Sequence, residues 1–308
     1  MWEEDEEKEE LEKEEGWEEK AKKAGEIAWK ALVHGKGMVK AGARLFDVAE
    51  SVEKMIHDSG AKPAFPVNIS IDEVAAHYTP SLNEETIFKE KDMVKLDVGV
   101  QVDGYIGDCA ATVDLGGENG KMVEAAENAL QAAIDAMKPG VEMTSIGEII
   151  ENEIQKLEFR PIENLSGHKI EKFILHSGVS VPNVKRKNPY ILKEGDLFAI
   201  EPFVSRGRGS VAEGERVEIF SFIEKTPVRM REARRVQQFI ESQYPKLPFA
   251  ERWLMKKFER KYLLESALKE LAMFGCIRSY PILKDDGLVA QAEKTVLIGK
   301  EGAIVTTK

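Results

Sequence analysis

Apolar positions recur at helical spacing in two paired blocks. Leu45, Val48, Val52 and Met55 fall at i, i+3, i+7 and i+10, predicting a helix that ends near Gly60. An earlier helix runs from about Ala21 through Ile27, Leu32 and Val33 and breaks at Gly35 and Gly37. The pattern then returns: one helix spans Ala125 to Met137 and breaks at Pro139-Gly140, and another carries Ile146, Ile149, Ile150, Ile154 and Leu157. Short β-rich runs follow each pair, which predicts two related halves with helices on one side of a sheet. Residues 224–279 read differently. They are almost wholly helical in pattern, with Val236, Phe239 and Ile240, then Trp253, Leu254, Phe258, Tyr262, Leu263 and Leu268. Strand-like runs at Leu288–Ala292 and Thr295–Ile298 resume afterwards. The expected class is α/β (α+β), a core of residues 21–223 and 280–308 interrupted by a helical insertion at 224–279.

Charge sharpens these boundaries. The 308 residues carry a net −11, yet residues 1–20 alone hold twelve acids against three lysines, a net of −9. The insertion has 13 basic and seven acidic residues, a net of +6. An acidic polyelectrolyte and a basic nucleic-acid coat are both poor descriptions of such a chain. The 1–20 tail cannot bury a face and is expected to be disordered. No apolar run approaches the ~20 residues that span a bilayer, and the N-terminal region lacks the apolar core of a secretory signal. Cys109 and Cys276 are the only cysteines, too few for a disulfide framework. A soluble cytoplasmic protein is expected, with no membrane and no DNA partner.

The chemistry concentrates in a few places. Asp103-Gly104 stands between two β-like runs and signals a type I′ hairpin. That turn would pair Val102 with Tyr105, Val100 with Gly107 and Gly99 with Asp108, so Asp97 and Asp108 become diagonal neighbours on one face. Two carboxylates in an apolar hairpin repel one another and are costly to desolvate, problems that a divalent cation removes. The bland alternative is that each Asp bonds a loop or sits at an edge. His168 and His176 flank a β-like run at even spacing and share a face if the chain stays extended. His34 and His57, on amphipathic helices, suit structural roles. Glu201 and Glu293 each end an apolar strand-like run, where a solvent-facing edge residue is the ordinary reading for either one alone. Together, Asp97, Asp108, His168, Glu201 and Glu293 offer one imidazole and four carboxylates, a hard donor set for two divalent ions, and the absence of Cys argues against a structural zinc site.

In this arrangement the chain resembles the type 2 methionine aminopeptidases, especially their short archaeal forms. The resemblance covers about residues 22–308. It rests on Phe65-Pro66-Val67-Asn68 with Ala75-Ala76-His77-Tyr78-Thr79-Pro80, the Asp97/Asp108 hairpin, Gly167-His168 through His176, Phe198-Ala199-Ile200-Glu201-Pro202-Phe203, and Tyr280-Pro281 leading to Gln291-Ala292-Glu293. It implies a pita-bread fold of two pseudo-symmetric halves, with a winged-helix-like insertion of the kind that separates type 2 from type 1. It further implies two metal ions (Co, Mn, Fe(II) or Zn) on Asp97, Asp108, His168, Glu201 and Glu293, with Asp108 and Glu293 bridging. His77, His176 and Glu201 become catalytic, and Phe65, Leu175, Phe203 and Tyr280 join the two histidines around the substrate methionine. The implied reaction is metal-hydroxide attack on the first peptide bond of nascent proteins whose second residue is small. The implied partners are N-terminal peptides near the ribosome, and the implied state is a monomer. Because Trp2 follows Met1, the chain is expected to keep its own methionine.

Two departures stand out: the tail is long for the short form, and Cys109 follows a ligand where a Thr-like residue is expected, placing a thiol near the metals. Two other readings compete. An Xaa-Pro aminopeptidase or prolidase uses a similar donor set but usually carries a large N-terminal domain, for which there is no room before Phe65. A catalytically silent homologue that binds ribosomes or RNA would suit the basic insertion, but such proteins typically lose ligands, and all five are present.

Overall fold

The structure, a computed structural model, describes residues 14–308, so most of the acidic tail lies outside the described residues. The first half comprises helices α1 (Trp17–Met38) and α2 (Leu45–Asp58), then strands β1 (Lys62–Pro63), β2 (Asn68–Ile71), β3 (Val74–Ala76), β4 (Met93–Val102) and β5 (Tyr105–Asp114). The second repeats the scheme: α3 (Gly120–Ala136), α4 (Met143–Lys156), then β6 (Arg160–Pro161), β7 (Ser166–Ile170), β8 (Ser180–Pro182), β9 (Leu197–Ile200) and β10 (Phe203–Ser205). The chain continues through β11 (Ala212–Phe222), α5 (Arg231–Gln243), β12 (Phe249–Ala250), α6 (Glu251–Met255) and α7 (Lys261–Met273). It closes with β13 (Ile277–Lys284), β14 (Val289–Gln291), β15 (Lys294–Ile298) and β16 (Ala303–Val305).

Helix α1 starts at Trp17 rather than Ala21. The Trp17 ring lies 6.1 Å from that of Tyr105, and Lys20 pairs with Asp103 at 3.2 Å, so the β4–β5 hairpin tip holds the first turn in place. The buried face of α1 is built of Ala21, Ala24, Gly25, Ala28 and Ala31, and this smallness lets it lie on β5. A Cβ at Gly107 would stand 2.4 Å from the Gly25 Cα, so only glycine permits that approach. Val33, counted above as part of the helix pattern, faces outward and is exposed.

Each half has its own apolar core. One packs Leu32, Leu45, Val48 and Ile56 over Ile69, Leu96 and Val98; the other packs Ala126, Leu130, Ile146 and Ile150 over Phe198, Ile200 and Val296. A third core gathers Phe220, Val236, Ile240, Leu254, Leu264 and Leu268, joining α5, α6 and α7 to β11. The expectation of near-continuous helix over 224–279 is too simple, because β12 pairs with β11 and β13 begins at Ile277.

A seam joins the halves along β5. Ala110 and Glu293 exchange backbone hydrogen bonds, and Thr112 donates its hydroxyl to the Gln291 carbonyl at 2.7 Å. Among the described residues no helix is long and apolar enough to cross a membrane.

Candidate metal centre and active site

The hairpin that carries the two aspartates has the expected register. Val102 pairs with Tyr105, Val100 with Gly107 and Gly99 with Asp108. Asp103 and Gly104 both take positive φ, 54° and 92°, as a type I′ turn requires. Strand alternation then separates Asp108 from its neighbour Cys109. The Cys109 sulfur packs in the helix-side core and points toward the Val98 carbonyl, so the thiol is turned away from the carboxylates. The thiol thus lies on the other face of the strand, yet close enough that Asp108 and Asp97 add to burial in raising its pKa.

Three further strands bring their donors to the same place. His168 lies in β7 opposite Ala199, Glu201 follows β9 directly, and Glu293 links β14 to β15. Ligand atoms of Asp108, His168 and Glu293 all lie within 4.8 Å of one another, and these residues are 1%, 6% and 2% exposed. The His168 Nε2 stands 3.6 Å from Asp108 Oδ2 and 3.7 Å from Glu201 Oε1. Asp97 completes the group from β4 and faces Asp108 and Glu201 electrostatically.

Such crowding leaves its mark on titration. Burial pushes the Asp97 carboxyl up to about 7. Asp108 is raised further by burial and then by Asp97 and Glu201. Glu201 rises through burial and Asp97, and Glu293 through burial, Asp108 and Glu201. His168 is driven well below its ordinary range by burial and by His176, so its imidazole is neutral. Asp97 Oδ1 and Asp108 Oδ1 are buried without a hydrogen-bond partner. Buried lone pairs without donors, four carboxylates and a neutral imidazole fit divalent metal, whose bonds of ~2.1 Å place ligand atoms on one ion about 4 Å apart or less.

His168 and His176 do meet, but not along an extended run. The chain turns at Glu171–Ile174, where Phe173 takes φ 60°, and the turn sets the two rings 4.2 Å apart. Desolvation in the cleft, and then the neighbouring His77 and Arg278, pull His176 down to about 4. His77 leaves β3 at φ 66°, a left-handed conformation that costs a non-glycine residue about 1–3 kcal/mol. Its Nδ1 lies 3.1 Å from the Pro281 carbonyl, which can only accept, so Nδ1 carries the proton and Nε2 is left as an acceptor. Burial keeps this ring neutral.

The four expected pocket residues divide. Phe65 and Leu175 share one apolar cluster with Tyr105 and Ile170, Tyr280 stacks edge-on to His77 at 5.6 Å, and Phe203 packs in a separate cluster with Ala75 and Ile162. Phe65 covers Gly99, where a Cβ would fall 2.1 Å from its ring. His34 bonds Ser51 and His57 sits in the last turn of α2, both away from the cluster. A cavity of about 870 Å³ between α2 and residues 243–248 is lined by none of the five carboxylate and histidine donors.

Sequence reasoning overlooked Gln291 and Thr295. Gln291 Nε2 donates to Glu201 Oε2 and to Glu293 Oε2, both at 3.4 Å. Thr295 bonds the Asp108 backbone. Their two-residue spacing from Glu293 was the available signal, since it puts all three on one face of the strand.

A model of metallopeptidase family M24 matches residues 19–226, and the chain belongs to that family. Over 288 residues it is 49% identical to the methionine aminopeptidase of Thermococcus onnurineus, covering 92% of this chain and 97% of that protein. It is 44% identical to the methionine aminopeptidase of Methanocaldococcus jannaschii, over 94% of this chain and 98% of that one. Both of these relatives are methionine aminopeptidases. The pita-bread fold recurs in the structure of a thermophilic Arx1, with a TM-score of 0.84 at 18% identity, over 95% of this chain and 91% of that one.

Proposed function

We propose that this chain removes the N-terminal methionine from newly made proteins whose second residue is small, as a type 2 enzyme with two divalent ions. The observation that carries the reading is the buried cluster of Asp108, His168 and Glu293 with Asp97 and Glu201 beside it, in a chain 49% identical to a methionine aminopeptidase. Helices α5 to α7 between Glu201 and Glu293 support the type 2 assignment, with residues 224–279 as the insertion and 21–223 and 280–308 as the catalytic domain, whose first helix reaches back to Trp17 within the 1–20 segment expected to be a separate tail. Asp97, Asp108, His168, Glu201 and Glu293 would hold Co, Mn, Fe(II) or Zn, with Asp108 and Glu293 at the heart of the cluster. Bound divalent metal supplies Lewis acidity, lowering the pKa of water toward ~7 and polarising a carbonyl.

The chain's own residues do the rest. Glu201 is only partly buried and accepts a hydrogen bond from Gln291, a placement that suits taking up a proton from the attacking water. His176, exposed on the cleft wall, donates to the developing oxyanion. The acceptor Nε2 of neutral His77 holds the scissile N–H. Phe65, Leu175, Phe203 and Tyr280 enclose the methionine side chain. Substrates are N-terminal peptides of nascent proteins, met in the cytoplasm near ribosomes by a monomeric enzyme.

The test is turnover of Met-Ala-Ser, Met-Leu-Ser and Xaa-Pro peptides by chelated protein re-supplied with each metal. Cleavage confined to Met-Ala-Ser supports the reading, and Xaa-Pro cleavage replaces it with the proline-directed alternative. Inactivity with every metal favours a silent binding homologue.

A further inference from the structure

His77 owes its position to residues distant in sequence. After its left-handed turn the chain runs through Tyr78, Thr79, Pro80 and Ser81, and each of these is tied elsewhere. Tyr78 stands beneath the Arg216 guanidinium, 4.4 Å from the ring centre, and its hydroxyl accepts from Arg216 Nη1 at 3.0 Å. Its carbonyl accepts from Ile69 N–H at 2.7 Å. Ser81 donates to Glu84 through both its N–H, at 3.0 Å, and its hydroxyl, at 3.1 Å, and Glu84 in turn pairs with Arg216.

The other grip comes from the insertion. Arg252 belongs to α6, yet it is 1% exposed because its side chain enters the catalytic half. Its Nη1 donates to the Thr79 hydroxyl and, at 3.3 Å, to the Pro80 carbonyl, while Nη2 pairs with Glu53 of α2. Glu53 also accepts from Trp253 Nε1 at 2.8 Å and from Val67 N–H at 3.2 Å. The Thr79 hydroxyl in turn donates a hydrogen bond to the Val67 carbonyl at 2.7 Å. One guanidinium therefore joins α6, α2 and the two residues that follow His77 and Tyr78.

We propose that Arg252 is a positioning residue for His77, so that the helical insertion acts on catalysis by locking the 77–81 loop in the conformation that aims the imidazole. The inference rests on the reading of His77 as a group at the scissile peptide. A buried guanidinium of purely structural use would stabilise the fold without caring where His77 points. A positioning one couples to it, because misplacing a reacting group by about 1 Å can cost up to 100-fold in rate.

The experiment is a double-mutant cycle on the full chain supplied with Co(II), read as kcat and KM for Met-Ala-Ser. Arg252→Met is expected to lower kcat by about 10- to 100-fold with little change in KM, and Arg252→Lys to restore part of it. In the Arg252→Met background, His77→Ala should cost almost nothing further. An equal cost of His77→Ala in both backgrounds overturns the proposal. Thr79→Val, which removes the guanidinium's side-chain link to the loop but leaves its contacts with the Pro80 carbonyl and Glu53, gives a weaker form of the same cycle if Arg252→Met does not fold. A second readout needs no metal: the protected imidazole Nδ1–H of His77 in NMR spectra of the chelated chain should vanish in Arg252→Met and persist in Arg252→Lys. Its survival in Arg252→Met also overturns the proposal. If His77→Ala leaves turnover intact in the otherwise native chain, the reading of His77 fails, and the NMR comparison still decides whether Arg252 positions the ring.

Discussion

Thr295 grips Asp108 from both sides, its hydroxyl oxygen accepting the Asp108 N–H at 2.7 Å and donating to the Asp108 carbonyl at 2.8 Å. One residue of the second half thus takes the place of a whole backbone pair in the first. Thr112 does the reciprocal service for Gln291, accepting its N–H at 2.8 Å. Between these two hydroxyls lies the Ala110–Glu293 pairing, so the donors of the two halves are set at a fixed separation.

Thr295→Val keeps the shape and removes both hydrogen bonds. The expected loss is about 1–3 kcal/mol, because buried backbone groups of Asp108 are left unpaired. Thermal denaturation of the metal-free protein measures it, and an unchanged Tm would show that water or a rearranged backbone fills the gap.

Asp108→Asn removes one negative charge from a group of four carboxylates. Turnover is expected to disappear, while the chelated protein becomes no less stable, since Asp97 and Glu293 lose a repulsive neighbour. Activity assays and melting curves together check this. A folded, fully active Asp108→Asn protein would sink the site assignment.

The stability of the metal-free chain should depend on pH with a definite sign. Its four clustered carboxyls have folded-state values raised above their unfolded ones, Asp97 to about 7, so the folded state holds more protons and loses stability as pH rises through that range. The depressed histidines oppose this, their contribution falling away as pH drops below their unfolded value. Above pH ~6.5 those histidines become neutral in both states. Buried Lys95, lowered to about 7 by desolvation, opposes the carboxyls from there upward, but it is one group against four. Chelated protein should therefore melt lower at pH 8 than at pH 6.5, and divalent metal should erase or reverse the trend.

Gln291→Leu leaves Glu201 and Glu293 without their shared donor. Metal affinity is expected to fall by about 10- to 100-fold, the usual effect of losing a residue that orients ligands. Metal titration by calorimetry reads this directly, and an unaltered affinity would reduce Gln291 to a strand residue.

Gly99→Ala places a methyl against Phe65, whose ring stands 2.1 Å from the new atom. Overpacking of this kind costs about 1–3 kcal/mol. If Phe65 borders the methionine side chain, KM for Met-Ala-Ser should rise more than kcat falls.

The hairpin register was readable because Asp103-Gly104 allows few alternatives and alternation carries that choice back to Asp97. The two helix pairs were readable for the same local reason, each repeating apolar residues at one spacing. The meeting of His168 and His176 was anticipated on the wrong geometry, since a positive φ at Phe173 has no signature in a residue that rarely adopts it. Gln291, Thr295 and Arg252 went unread because polar residues on strands and basic ones on helices ordinarily face solvent. Their partners lie far along the chain, and only tertiary packing reveals them.

The seam between Asp108 and Thr295, 187 positions apart, also bears on how a working molecule comes into being. Contacts of such separation form late, because closing so long a stretch of chain is entropically slow. The carboxylates on β4 and β5 wait for Glu293, which arrives only when the final strands dock. On the proposed ligand set, a copy that is half-made or misfolded holds an open, incomplete donor set and is expected to be inert toward the peptides around it. Hydrolytic power becomes a certificate of finished folding.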